Sequence, residues 1–431
     1  MDILISSLYF LVFCFCIWKL PFFQLQGISK KWTLATFSLK VAVGFLLWAI
    51  YSFHYHERES ADIFKYYDDA QIIYDLAGAK LSLIFQILTG IVWNEKEVSE
   101  ILLHTNHWFR SFDYIQINDN RTIIRINLLF LSFSAGIFHV HTILFCFLAF
   151  IGSAGLYKFI SFFDSRKAVV YLCSFLLPSV LFWTSGILKE SWLLFVLGLL
   201  LLHFQHILLK FSTRRLLAIL LLVLAFLFIK PFVFLLLLPA LLYLLFQNLL
   251  TSKKPILLFL LLHLLLLASA LLFITFGTST PVFALMQAQQ NAFYAIAEEI
   301  GNVGTIQIPE VYNLQKAFLA APSAIFNTLF RPFIWEADNL LQLVAAVENI
   351  GYLLLFLLAA AFFRKPRKKS LLLVLFCISF VCALSVLIGW TTPILGTIVR
   401  YKVPLLPFFA ILLCQFIDFN KLKNIFKHET D

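Results

Sequence analysis

The chain has 431 residues, of which 61% are hydrophobic and 13% charged, with 50 phenylalanines and a formal charge of +10. Soluble globular proteins hold about 25% charged and about 45–50% apolar residues, so this composition excludes a soluble domain and predicts an all-α, polytopic integral membrane protein. The unbroken Leu-rich runs exclude a transmembrane barrel, whose strands alternate over about 10 residues. The basic excess lies in short loops between apolar runs, where the positive-inside rule puts it, and no aromatic-interleaved surface for nucleic acid is visible.

Taken in order, apolar runs predict about eleven spans, within a range of 10–13, at 3–20, 34–53, 138–161, 168–184, 192–209, 216–229, 232–249, 256–276, 339–363, 370–390 and 403–419. Asp2 and the lack of a basic n-region predict that the first run stays as a span. Basic clusters at Lys30 and Lys31, Arg166 and Lys167, Arg214 and Arg215, Lys253 and Lys254, 364–369 and 421–427 assign one set of connections, and the C-terminus, to the cytoplasm. Seventeen of the 23 acids then fall on the opposite side. The whole chain, 1–431, reads as one polytopic domain of a plasma (inner) membrane. Its large non-cytoplasmic loops span 54–121 and 277–338 and carry short surface helices. The stretch 122–161 is long enough for two spans, yet the charges require an odd number of crossings. A half-helix at about 122–137 followed by one full crossing satisfies both, with Arg125 and Asn127 buried against protein or water. Trp93 and Trp108 read as interfacial anchors.

Eleven of the 23 acids lie between positions 54 and 121. In a helix starting near residue 63, Asp62 and Asp69 are seven apart and share a face, with Lys65 and Tyr66 between them; Asp68 and Asp75 follow. Solvated loop charges explain any single acid, but the group, directly after a span and among four tyrosines, reads as a site where a carboxylate acts as base toward a hydroxyl. Three further polar motifs fall on the same side. In 178–191, PSVLFWTSGILKES, Lys189 and Glu190 stand between two apolar runs, where a charge faces a cavity or a partner or else snorkels. In 326–339, FNTLFRPFIWEADN, Arg331 and Glu336 flank Pro332 and Trp335, a pattern that also suits an interfacial anchor. In 389–407, GWTTPILGTIVRYKVPLLP, Arg400, Tyr401 and Lys402 open the last run; Arg offers phosphate a bidentate fork that Lys lacks, and a headgroup anchor is the plainer use.

All seven cysteines lie inside apolar runs and read as packing residues. His54, His56, His104 and His107 show no helical metal spacing, so no metal and no other cofactor is indicated, although a divalent ion fits the chemistry. His139 and His141 read as packed. There is no Walker loop, GxSxG or GxGxxG.

These stretches resemble the GT-C superfamily of membrane glycosyltransferases, through ESADIFKYYDDA in the first large external loop, the polytopic helical body and the later basic external loops. PSVLFWTSGILKES and GTIVRYKVPLLP are also similar to motifs of bacterial polysaccharide polymerases. The resemblance implies sugar transfer from a polyprenyl-phosphate-linked donor to a glycan, lipid or protein acceptor outside the cytoplasm. It further implies Asp62, then Asp68 or Asp69, as base; Arg400, Tyr401, Arg331 and Lys189 at the donor phosphate; and Glu190, Glu336 and Arg125 in support. In this chain the acidic loop follows the second predicted span, whereas in many such enzymes it follows the first, and no soluble C-terminal domain is evident. A transporter or flippase for a lipid-linked or anionic substrate is the alternative. It would place charges and broken helices near mid-membrane and show repeats, while the charges here lie at span ends. A purely structural membrane component is the third reading.

Overall fold

The computed structural model describes residues 1–53, 58, 61–78, 80–109, 118–276, 282–301 and 304–422. The start of the acidic block, including His54 and His56, lies outside them. Helices follow one another along the chain: α1 (Asp2–Lys19), α2 (Lys30–Phe53), α3 (Asp62–Ala77), α4 (Leu81–Thr89), α5 (Glu95–Leu103), α6 (Asp119–Ser134), α7 (Phe138–Phe163), α8 (Lys167–Tyr171), α9 (Pro178–Trp183) and α10 (Lys189–Leu209). Then come α11 (Thr213–Leu227), α12 (Pro231–Leu250), α13 (Pro255–Phe276), α14 (Val282–Ile300), α15 (Leu314–Phe330), α16 (Leu340–Ala361), α17 (Lys368–Thr391), α18 (Leu395–Tyr401) and α19 (Leu406–Phe416). Among the described residues, extended backbone pairs only at two isolated bridges, Thr305 with Ile394 and Phe363 with Ile417.

Among the described residues eight helices, α1, α2, α7, α10, α12, α13, α16 and α17, are long and apolar enough to cross a bilayer, and α18 with α19 make a ninth if the bent pair is one span. The protein is a multi-pass, all-helical membrane protein, and these eight coincide with eight of the eleven runs expected from sequence. The other three differ for local reasons. The 168–184 run breaks into α8, a π turn at Leu172–Leu176 and α9, which starts at Pro178, a residue whose ring cannot continue a preceding helix. The 216–229 run forms α11, whose 15 residues make a helix about 22 Å long, short of the roughly 30 Å hydrocarbon core. The 403–419 run belongs to the α18–α19 pair, bent by 75°. The expected half-helix forms as α6 and ends at a left-handed turn, Ala135 (φ 54) and Gly136 (φ 68), that leads into α7.

By internal contacts the chain divides into two compact units, 1–159 with 181–231 and 160–180 with 232–431. In the first, α7 and α10 cross with backbones nearly touching: a Cβ added to Gly198 would lie 1.9 Å from the Gly152 carbonyl oxygen, and one added to Gly155 2.6 Å from that of Gly198. Small residues permit such crossings in lipid, where dispersion between close backbones replaces the hydrophobic drive. Gly198→Ala is therefore expected to force the helices apart and cost about 1–3 kcal/mol or more, read as a lowered midpoint of thermal unfolding in detergent. An unchanged midpoint would contradict the close crossing.

In the second unit α15 lies on α17. A Cβ on Gly389 would come within 2.3 Å of the Ala324 carbonyl oxygen, and the Thr328 hydroxyl donates to Ser385 O at 2.8 Å. Asp164 accepts from Arg166 Nη2 and Gln415 Nε2, both at 2.6 Å, and Arg166 Nη1 donates to Cys414 O at 2.6 Å, which ties the α7–α8 turn to α19.

Candidate functional site

The acidic block folds as α3 because Ile63, Tyr66, Tyr67, Ala70, Ile73 and Ala77 recur at helical spacing on a buried face. The helix stops at Gly78, which adopts φ 54. Its buried face meets α6 and the start of α7. Tyr67 donates to Gly136 O at 2.6 Å. Burial, and next the charge of Asp68, push its hydroxyl up to about 12, so it stays a donor. Beneath it Asn127 Oδ1 accepts from His141 Nδ1 at 2.7 Å, which leaves Nε2 to accept from the Ser134 hydroxyl at 2.7 Å. All three side chains are completely buried, so His141 is packed as expected and the network fixes the α6–α7 turn.

The three candidate bases have different environments. Asp69 is fully buried and accepts the backbone N–H groups of Asn106 (3.0 Å) and His107 (2.8 Å), pinning the segment after α5 to α3. Asp68 is gripped by Arg58, whose Nε and Nη2 reach its two oxygens at 2.9 and 2.6 Å. Asp62, in the first turn of α3, pairs with Lys65 at 3.8 Å and keeps 27% of its side chain exposed. Asp75 accepts from Gln71 at 2.9 Å. Trp108 is buried rather than offered to the membrane interface. Its carbonyl accepts from Asn118 Nδ2 (3.1 Å) and Arg121 Nε (3.0 Å), and the guanidinium of Arg125 lies over its ring at 5.2 Å. Arg125 also donates to Ile87 O at 2.8 Å, so it braces α4 and the Trp108 ring.

Lys189 and Glu190 open α10 and are both buried. Lys189 Nζ lies 2.8 Å from Asp119 of α6 and 5.5 Å from the centre of the Tyr66 ring, while Glu190 pairs with Lys230 at 3.8 Å. Tyr66 stands one helical turn after Asp62 on α3, and Lys189, paired with Asp119, lies over the Tyr66 ring. The bend before α10 is held from below: Lys40, buried inside α2, donates to Thr184 at 2.6 Å, and Ser191 donates back to Gly186 O at 2.7 Å.

Burial lowers the His107 pKa despite the attraction of Asp69, and burial likewise raises Asp69 above the ordinary carboxylate range despite its backbone donors. Below pH 6.5 the unfolded chain therefore takes up the His107 proton before the folded one, and stability falls with pH from 6.5 toward the lowered folded value. Asp69 acts in the opposite sense in a lower window, between its raised value and 3.8, where folding gains as pH falls. His107→Gln is expected to flatten the pH dependence of the unfolding midpoint just below pH 6.5; an unchanged slope there would place the titration elsewhere.

In the second unit Arg331 follows α15, pairs with Glu336 at 3.5 Å and lies 5.8 Å from the centre of the Phe333 ring; Glu336 also accepts from Phe333 N–H at 2.9 Å. The carbonyls of Arg331 and Pro332 accept from Lys402 Nζ (3.0 Å) and Asn349 Nδ2 (2.9 Å), and Lys402 also donates to Asn349 Oδ1 at 2.8 Å. Arg400 is partly buried in the last turn of α18, and Tyr401 meets the Phe293 ring edge-on at 6.2 Å. Glu348, inside α16, accepts from the Ser179 N–H (2.8 Å), the Ser179 hydroxyl and Tyr352 OH (2.6 Å).

Sequence reasoning missed Asp119, Lys230 and Glu348, and named Lys402 only beside Arg400. Asp119 looked like one more loop acid, and Lys230 like a short-loop charge; only the mate each meets marks it. Glu348 and Lys402 had a readable signal, since a charge within an apolar run is costly unless held. Among the described residues no group of three or more His, Cys, Asp or Glu side chains is arranged to hold a metal ion. Comparison of the chain with protein-family models, curated proteins and solved structures yields no match.

Proposed function

We propose that the protein is a membrane glycosyltransferase of GT-C type. It transfers a sugar from a polyprenyl-phosphate-linked donor to a glycan, lipid or protein acceptor at the non-cytoplasmic face, in cell-surface polysaccharide synthesis. The observation that carries this reading is the mostly buried Lys189–Asp119 pair beside the Tyr66 ring, one turn along α3 from Asp62. Asp62 is the base, the first choice of the resemblance: it is partly exposed and its pair with Lys65 is loose at 3.8 Å, whereas Asp68 is held at two points by Arg58 and Asp69 is fully buried on backbone donors. Its carboxylate takes the acceptor's hydroxyl proton, the oxygen attacks the anomeric carbon, and the bond to the polyprenyl phosphate breaks. Lys189, oriented by Asp119, meets the charge that develops on the departing phosphate. Reading the basic connections as cytoplasmic leaves the C-terminus in the cytoplasm of a plasma (inner) membrane and the loops at 54–121 and 277–338 outside, and counting the broken 168–184 run and the short α11 as crossings makes about eleven.

A transporter or flippase is the second reading, favoured by one feature of the second unit: Lys402 sits buried at the break of the bent α18–α19 pair, and Glu348 lies inside a candidate span. Purified protein in liposomes, given a panel of labelled polyprenyl-phosphate hexoses and candidate acceptors, is expected to release polyprenyl phosphate in an acceptor-dependent manner. Donors left intact across the panel would count against the enzyme.

A further inference from the structure

Within the first unit α1, α2 and α7 enclose a groove of about 600 Å³, in the range of about 300–1,000 Å³ typical of small-molecule sites. Its walls include Ile3, Phe10, Phe45 and Ile143, and its polar lining includes Ser6 and His139. Ser6 Oγ and His139 Nδ1 are buried and have no hydrogen-bond partner among the described residues. Ser6 is only 7% exposed. The His139 ring is held edge-on by Phe45 and Trp48, at centroid distances of 5.2 and 4.7 Å, so packing fixes a ring whose Nδ1 has no hydrogen-bond partner among the described residues. Buried polar atoms in native proteins nearly always have partners, and an orphan calls for an explanation.

Ser6 stands in the second turn of α1, Trp48 near the end of α2 and His139 in the first turn of α7, so the groove lies at one end of three apolar helices. That is the depth at which hydrocarbon gives way to polar headgroups and Trp is enriched. Both orphan groups can donate: the serine hydroxyl directly, the imidazole through the nitrogen that carries its proton. The groove thus offers two donors above an apolar slot.

We infer that this groove binds a diacyl glycerophospholipid, with an acyl chain in the slot and an ester carbonyl accepting from Ser6 and His139. A polyprenyl chain fits these donors poorly, since it has no acceptor before its phosphate, whereas a glycerophospholipid presents ester carbonyls between its acyl chains and its phosphate.

The test uses the full chain in phosphatidylcholine vesicles that contain a fraction of phosphatidylcholine with a photoreactive diazirine in its acyl chain. After illumination, label mapped by mass spectrometry is expected to concentrate on the segments 3–10 and 45–49, several-fold above that on α13, an apolar helix with 0% of its window buried. Ser6→Phe, which fills the slot, is expected to remove the excess. Ser6→Ala and His139→Phe, which keep the volume and lose one donor each, should each lower it about fivefold, the loss of one ordinary hydrogen bond. These two variants serve as the test if Ser6→Phe does not fold. Label no higher than on α13, or insensitive to the donor-removing variants, overturns the inference. Displacement of the label by equimolar polyprenyl phosphate also overturns it and assigns the groove to that carrier.

Discussion

Asp62→Asn is expected to lower sugar transfer by about 10²–10⁴-fold, the usual contribution of a general base, while the protein inserts and unfolds as the parent does. The substitution is nearly isosteric, and its site is a first-turn position with 27% of the side chain exposed. What the variant lacks is a carboxylate to take the acceptor's proton. Neighbouring acids give the contrast that makes the result readable. Asp69→Asn replaces a carboxylate that caps two backbone N–H groups, so it should lower the unfolding midpoint along with activity. Asp68→Asn loses a fork with Arg58 whose partners are 34% and 57% exposed, and should do little to either. Wild-type turnover by Asp62→Asn would remove Asp62 as the base.

Lys189→Met is the second large effect. The ion pair with Asp119 is mostly buried, with 11% and 18% of the side chains exposed. Removing the ammonium leaves a carboxylate with too little solvent to replace it, a change that costs about 3–5 kcal/mol when burial is complete; partial exposure puts this pair near the lower end. Adding Asp119→Asn removes the stranded charge and should restore most of the stability. Activity separates the roles. If Lys189 meets the donor phosphate, the double variant regains its unfolding midpoint but stays inactive. Recovery of both together would reduce Lys189 to a structural tether for α6 and α10.

The grease of this chain was easy to read and its polar contacts were not. Runs of Leu and Phe announce spans because about 20 apolar residues have few other uses, and the helices depart from the expected runs where Pro178 interrupts one, where α11 is short and where the last run bends. The site was legible as a region. Lys189 and Glu190 stood out because charges between two apolar runs need partners, but that those partners are Asp119 and Lys230 depends on tertiary folding. Asp62 and Asp69 share one helix and one residue type, and only the neighbouring segment that donates to Asp69 distinguishes them. At 400–402 the guanidinium drew attention for its fork, whereas the fully enclosed cation is Lys402, held by two oxygens from other segments. Trp108 reads as an anchor by residue type and is buried because two backbone-directed donors and a guanidinium enclose it.

The most direct measurement follows bond formation and flux together. Sealed proteoliposomes would contain the protein, a polyprenyl-phosphate donor labelled in its sugar, and an acceptor on one side. A new glycosidic bond, with equimolar release of polyprenyl phosphate and loss of both signals in Asp62→Asn, is the result expected of a glycosyltransferase. Labelled donor that crosses the bilayer intact, with no bond formed and no effect of Asp62→Asn, would contradict it and favour the transporter.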